Sequence, residues 1–565
     1  MFIKITQSGS RRYAQLVESF RNADGKPRQR TVCTLGRLQA GGEVDTLIAS
    51  LQRARGISGA ASALDGLRFT GSRHAGDIWA LSELWRSLGF NDLVSVWRRS
   101  KTEVDVLACL RLMVFNRLCD PSSKLGVLRW LETVALPAEF DFIPEHQHLL
   151  RAMDILDEYS DTLGARLATL MRPLIDQDLS VVFYDLTTVE VTGLTDLEDD
   201  VRAYGRAKSG LVERQFMLSL VQTAEGLPIA HEVHAGNTAE AKTLLPMIRG
   251  LLERYPLKRV VLIADRGLLS IGNIEELAKL QAQLRADGRN VILEYILAVP
   301  AARYGDFADD LKLLNDAQAT HQSWCAETKW QENRLVVAHD PDAAVRRCQA
   351  RNKTIEDLLK LGQQWSGKLD GQDGGEARQG RPMSDSGTKA RFYHAVKDAH
   401  MAHVIKVDLK AELFSYSIDE EKKRYLELLD GKLLLVTNTD TPAAEVVQRY
   451  KSLADIERGF RVLKSDIEIG PVYHRLPQRI RSHALVCFMA LILFRVMRMR
   501  LKAAKRSESP SALLEQLKRI HQQTVQTGDG KNLTGLTDIT PAQKSLFAAL
   551  ELTPPTPIDL VQPVL

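Results

Sequence analysis

Three acidic residues stand where an unaided carboxylate is costly. Asp185 lies in SVVFYDLTTVEV (Ser180 to Val191), a β-branched and aromatic run that predicts a strand with Val181, Phe183, Asp185 and Thr187 on one face. An acid in the middle of such a strand must be paired or ligate a cation. Asp265 follows the apolar run RVVLIA (Arg259 to Ala264), which predicts a buried parallel strand with the acid at its carboxyl end, where open α/β sheets place their ligands. Glu457 lies in TPAAEVVQRYKSLADIERGFRVLK (Thr441 to Lys464), which reads as one long amphipathic helix with Thr441 as N-cap and Pro442 at its first position. Spacings of three and four put Tyr450, Leu453, Glu457, Arg461 and Lys464 on one stripe, and Val447, Ile456, Phe460, Leu463 and Ile467 broaden it into a buried face. Two partners suit Glu457: Arg461 one turn on, in an ion pair worth about 0.2–0.5 kcal/mol when exposed, or a metal ion shared with other acids. The stripe alone does not choose between them.

These acids need a scaffold that brings distant segments together. After the Asp185 strand come two further strand patterns, LVERQFMLSLVQT and LPIAHEVHAG, a helix in AEAKTLLPMIRGLLERY, the RVVLIA strand and a fifth strand from Ile292, ILEYILAVP. Three strands, a helix and two strands, with acids on the first and at the tip of the fourth, is the order of a ribonuclease H-like sheet. Asp185 and Asp265 are 80 residues apart, but Asp265 and Glu457 are 192 apart, too far for one strand and one helix. An inserted domain is therefore expected at about 301–430, with a flexible Gly- and Ser-rich loop from Ser366 to Gly387. Trp324, Trp330 and Trp365 within it invite a base-stacking role, although ordinary packing is the stronger expectation.

The predicted fold is thus α/β, with a first core segment at 179–300 and a second at 431–504 carrying the glutamate helix. Residues 1–73 form a small basic hairpin domain with a turn at Asp24-Gly25; Arg11, Arg12, Arg21, Lys26, Arg28 and Arg30 fit a solvated face and a DNA contact equally. Residues 74–178 read as a helical domain suited to binding DNA ends or dimerising, with Trp79, Trp85, Trp97 and Trp130 as core anchors. Residues 505–565 form a polar tail. A hydrophobic content of 44% supports real cores, and a net charge of +4 says little about partners. The six cysteines show no Cys-x-x-Cys spacing, which indicates neither a zinc site nor a disulfide framework and fits a reducing compartment. No signal peptide is apparent, and ALVCFMALILF (Ala484 to Phe494) is too short to cross a bilayer before Arg495, so it reads as a buried helix.

The motifs YDLTT around Asp185, GNT at Gly236 to Thr238, ADRGLLSIGN around Asp265 and YKSLADIERGFRVLK around Glu457 resemble the DDE transposases of bacterial insertion sequences. The likeness is to the cut-and-paste branch marked by Tyr-x2-Arg-x3-Glu-x6-Lys. Tyr450, Glu457 and Lys464 match that signature, and Leu453 stands at its Arg position, where Arg449, Lys451 or Arg461 offers a substitute cation.

The resemblance implies that Asp185, Asp265 and Glu457 are catalytic and hold two Mg²⁺ ions, with Mn²⁺ as a substitute, on a ribonuclease H-like fold. Two hard cations relieve the mutual repulsion of three carboxylates and prefer oxygen ligands. It implies double-stranded DNA as partner, both element ends and target, held by a homodimer in the bacterial cytoplasm at the nucleoid, with no membrane association. Tyr450, Arg461, Lys464, Lys208, Arg214 and Arg266 are the expected DNA contacts, while Arg202 and Arg458 read as solvated charges. His474 and His483 read as structural histidines. The insertion in this branch consists mostly of strands. A nuclease that cuts without joining shares the three acids, and a DNA-binding derivative without catalysis is the remaining alternative.

Overall fold

The computed structural model describes residues 1–565 apart from 40–41, 57–66, 99, 101, 141, 176–179, 194–196, 198–199, 207–211, 240–241, 265–270, 317, 319–321, 376–381, 453, 529 and 561–565; at 180, 206, 271–273 and 454–458 it describes the backbone alone. The chain opens with an antiparallel meander of β1 (Phe2–Ser8), β2 (Arg11–Arg21) and β3 (Pro27–Arg37). The Asp24-Gly25 turn joins the last two, with Gly25 at φ 74°, a conformation glycine adopts without steric cost. A helix at Glu43–Ala54 follows. β4 (Arg68–His74) leaves this unit and pairs with a strand of the C-terminal tail, so the first structural boundary falls before residue 68.

The elements described between Gly76 and Met171 are all helices, as the periodicity predicts, and Trp79, Trp85, Trp97 and Trp130 are buried in their core. The central sheet then begins with β5 (Ser180–Glu190), β6 (Ala203–Arg206), β7 (Val212–Thr223) and β8 (Pro228–Ala235). It continues with β9 (Arg259–Ala264), β10 (Ile292–Ala298), β11 (Trp324–Trp330) and β12 (Asn333–His339). A small pair, β13 (Ile405–Val407) and β14 (Tyr416–Ile418), sits apart, and β15 (Lys432–Thr437) returns to the sheet. In the tail, β16 (His521–Gln526) pairs with β4 and with β17 (Asn532–Leu536), so the tail closes onto the start of the helical region.

Within the nine-stranded sheet the strands run β8-β7-β5-β9-β10, with β5 antiparallel to β7 and parallel to β9, and β9 parallel to β10. This is the order and sense of a ribonuclease H-like core. β15, β12 and β11 extend it antiparallel beyond β10. β9 lies between two strands and buries both faces, which is why its sequence is continuously apolar. Val261 and Ile263 pack with Val181 and Phe183 of β5, Ile296 of β10 and Leu435 of β15 beneath Val446 and Val447. Val260, Leu262 and Ala264 face the opposite cluster with Tyr184, Ile248 and Leu251.

The segment between β10 and β15 differs from expectation. Its two strands β11 and β12 join the central sheet, and most of the rest is helical, including a 33-residue helix at Pro341–Asp373. The stretch from Ser366 to Asp373, expected as loop, is therefore helical, a second helix starts at Asp385, and 376–381 lie outside the described residues. Trp365 packs edge-on against Phe392, Trp330 against Phe307, and Trp324 against His339, so all three tryptophans serve packing. A bidentate ion pair, Arg351 with Asp430, fixes the long helix to the return strand.

The helix Pro477–Ala503 is the hub of the molecule. Its middle is buried on all sides, it contacts helices Val106–Cys119 and His146–Glu158, and His231 of β8 stacks on its Phe488 at 4.3 Å. Arg479 and Arg481 bind Asp154 and Asp157, each at 2.8 Å, fixing its first turns. Among the described residues no helix is long and apolar enough to cross a membrane.

Candidate active site

Asp185 sits half-buried in mid β5 and its Oδ1 accepts a hydrogen bond from the Leu186 amide at 2.7 Å. Its cross-strand partner is Leu220, and the preceding residue on the same face, Phe183, is paired with Gln222. The adjacent strand β9 ends at Ala264, opposite Tyr184. Asp265, the next residue, lies outside the described residues, as do Arg266 and Lys208. Tyr184 points to the other side, where its hydroxyl donates to Thr243 at 2.5 Å and burial raises its pKa.

The glutamate segment departs from the single helix predicted for it. Ala443–Lys451 and Ala454–Ser465 are separate helices with a turn at Ser452. The first begins after Pro442, which occupies the N-cap position, while Thr441 Oγ1 is shared with Thr439 at 2.6 Å and caps nothing. The break has a packing cause. Val446 and Val447 seat the first helix on the cluster over β9, whereas Phe460 and Leu463 seat the second in the larger core, and one straight axis does not serve both. The stripe is therefore divided: Tyr450 is half-buried against the β9 cluster, while Arg461 and Lys464 are exposed on the second helix.

Glu457 lies on the second helix, which contacts β5; its side chain is outside the described residues. Two residues on, Gly459 lies against Gln222 of β7 and Arg495 of the hub helix. Since Gln222 and Asp185 occupy the same face of neighbouring strands, this contact seats the Glu457 helix over the face that carries Asp185. Gln222 and Arg495 are both buried, and neither stood out in the sequence. The interrupted apolar pattern of the two segments was the only available signal.

The cations divide too. Arg214 on β7 lies over the Tyr204 ring at 5.3 Å and donates to the Gly193 carbonyl. Arg202 is not solvated as expected: it is buried and its Nε donates to Asp200 at 2.9 Å. Arg458 has no described side chain. His483 is buried with Nε2 2.9 Å from the Ile469 carbonyl oxygen, and burial, followed by the neighbouring Lys124 and Arg117, holds its pKa far below the usual value. It has the structural part expected of it.

Comparison with known families decides the kinship. Residues 176–493 match the model described as the transposase DDE domain. The chain belongs to the DDE transposases. Residues 3–63 match a second model, the N-terminal domain of IS1634 family transposases, which places the transposase with those of insertion sequences. No curated protein matches the chain. The DDE match runs from just before β5 into the hub helix, so it takes in all three acids and the Gly459 contact. Among the described residues no group of three or more His, Cys, Asp and Glu side chains gathers to hold a metal; the side chains of Asp265 and Glu457 are outside that set.

Proposed function

We propose that this transposase binds the terminal inverted repeats of its element, hydrolyses the phosphodiester bonds there and joins the freed 3′-hydroxyl ends to target DNA, with Asp185, Asp265 and Glu457 as the catalytic acids. The observation that carries the reading is the seat of the Glu457 helix on Gln222, on the sheet face that bears Asp185, beside the strand that leads into Asp265. All three side chains are oxygen donors, which suits a hard divalent ion such as Mg²⁺ or Mn²⁺ and no softer metal. When bound, two such ions supply Lewis-acid stabilisation of the phosphoryl oxygens and a more acidic water or 3′-hydroxyl. The chain's own residues hold and orient. Asp185 is fixed by the Leu186 amide, and exposed Arg461 and Lys464 on the Glu457 helix offer charge to flanking phosphates. Tyr450, Arg214, Arg266 and Lys208 are assigned to DNA contact on the same reading, and a homodimer holds the two ends.

The experiment is incubation of the protein with DNA from its own flanks and Mg²⁺, with mapping of nicks, followed by presentation of pre-cleaved ends to a target plasmid. Nicks at the repeats and joined products support transposition. Nicks without joining point to a nuclease. No metal-dependent cutting, or cutting that survives Asp185→Asn, overturns the assignment.

A further inference from the structure

A second site lies where three helices begin. A cavity of about 560 Å³ is lined by the first residues of helices Lys124–Leu131, His146–Glu158 and Pro477–Ala503, and by the segment Gly470–Leu476. Helix N-termini carry partial positive charge; Ser123 caps the first of these helices and a Glu145–His148 capping box the second, while the third, after Leu476, has no side-chain cap and leaves its first amides open to an anion. The second observation is Lys124, which lines the cavity although only 4% of it is exposed. Among the described residues its ammonium has no hydrogen-bond or ion-pair partner; the groups acting on it are the Arg117 guanidinium, which adds to the positive field, and the Cys487 thiol. A buried ammonium without a counter-ion is costly, and its pKa is pushed down to about 7 by burial first and Arg117 second. Arg479, also on the lining, already holds the Asp154 carboxylate, and Arg117 donates to the backbone carbonyls of Glu468 and Ser122, so these acceptors are taken up by the arginines.

The cavity is tied to the catalytic strand. Val472 donates to the Glu190 carbonyl at 3.0 Å and its own carbonyl accepts from Thr192 at 2.9 Å, so the lining segment continues the end of β5. Glu190 is five residues from Asp185, about 17 Å at the rise of a strand, or roughly five base pairs along the axis of a B-form duplex. Tyr473 at the mouth is 69% exposed, and Arg475 beside it is exposed as well.

We propose that this cavity is a phosphate subsite that takes one backbone phosphate of the bound DNA at a fixed distance from the scissile bond, with Lys124 as its buried counter-charge. The proposal rests on the DNA-cleaving reading and adds a position to it. No bond is made or broken here; the subsite sets where the duplex lies.

The test uses the full-length chain and Lys124→Met, which keeps the length of the side chain and removes its charge. Because the variant relieves an uncompensated buried charge, it should melt no lower than the wild type. Its affinity for end DNA, measured by anisotropy across a salt series, should fall about 5- to 10-fold, with the slope of log affinity against log salt shallower by about one. Arg475→Gln, at the exposed mouth, should act in the same direction without disturbing the core. Unchanged affinity and slope in both folded variants overturns the proposal. So does a wild-type melting temperature raised by inorganic phosphate but not in Lys124→Met, with DNA affinity equal in the two, since the site is then one for free phosphate. A wild-type chain that binds DNA but never nicks it breaks the catalytic reading alone and leaves the salt comparison intact.

Discussion

Gly459 leaves Gln222 no room for a side chain opposite it: a Cβ placed on the glycine would stand 2.6 Å from the Gln222 Nε2 and 2.9 Å from its Oε1. Gly459 is two residues from Glu457, and Gln222 is two residues along β7 from the partner of Asp185. How closely the helix carrying Glu457 seats on the sheet therefore depends on the absence of a side chain at 459. Gly459→Ala should push the helix outward by a fraction of an ångström, and Gly459→Val by more. Displacement on that scale costs on the order of 100-fold in a positioned reaction. Nicking of end DNA should fall steeply along the series while DNA affinity changes little, and shortening the opposing residue in Gly459→Ala with Gln222→Ala should restore part of the rate. Full activity in Gly459→Ala, or no recovery in the double variant, would show that this contact does not set the spacing.

The acids themselves should separate chemistry from binding. Asp185→Asn and Glu457→Gln keep shape and remove charge, so each should lower metal-dependent nicking by at least ~1,000-fold and leave the affinity for end DNA within a few fold. Calorimetric titration with Mg²⁺ should give a heat of binding in the wild type that is lost in both variants. Chelation of the metal should stop the wild-type reaction and its return should restart it. A variant that still cuts, or that binds Mg²⁺ as well as the wild type, would remove that residue from the site.

The order of the central sheet was legible because its strands carry their own signatures: RVVLIA is buried on both faces and reads as a continuous apolar run, and β5 is likewise apolar from Val181 to Tyr184 until Asp185 interrupts it. The turn at Ser452 was not legible. Lys451, Ser452, Leu453 and Ala454 include neither glycine nor proline, and the helical period runs through them unbroken; the break follows from two separate packing clusters, which periodicity does not report. Arg202 misled in a similar way, since a charge is expected outside and only the fold supplies Asp200 to bring it inside. The pairing of β4 with β16 joins residues more than 440 positions apart, and no local pattern encodes it. Gln222, Gly459 and Arg495 each look ordinary alone, and their meeting is a property of the assembled fold.

Arg461 and Lys464 stand exposed on the helix that carries Glu457, each one position after a buried residue, Phe460 and Leu463. On the proposed reading these exposed cations meet the phosphates that flank the scissile bond. Arg461→Gln and Lys464→Gln should each weaken end-DNA binding by about 3- to 10-fold at moderate salt, with a shallower salt slope and an unchanged melting temperature. Competition with unrelated duplex should show the same loss, because a phosphate contact carries no sequence information. A loss confined to the cognate ends would instead assign these side chains to base reading.

Acid should destabilise this fold through the histidines beneath the second cavity. His474 is partly buried with its ring 5.8 Å from that of His483, and its pKa is held down to about 3, by burial first and then by Lys124, Arg479 and Arg117. In the unfolded chain the same ring takes up a proton near 6.5. Between these pH values the unfolded state binds more protons than the native state, so stability rises with pH across the window and is lost as pH falls from 6.5 towards 3. The limiting slope is about 1.4 kcal/mol per pH unit for each such group, and His483, whose pKa burial depresses further, adds to it in the same direction. His474→Gln should therefore flatten the dependence of unfolding free energy on pH in that range, measured by denaturant titration at pH 7, 6 and 5, with the variant gaining on the wild type as pH falls. Parallel curves for the two proteins would mean that the His474 ring is free to take up its proton in the native state.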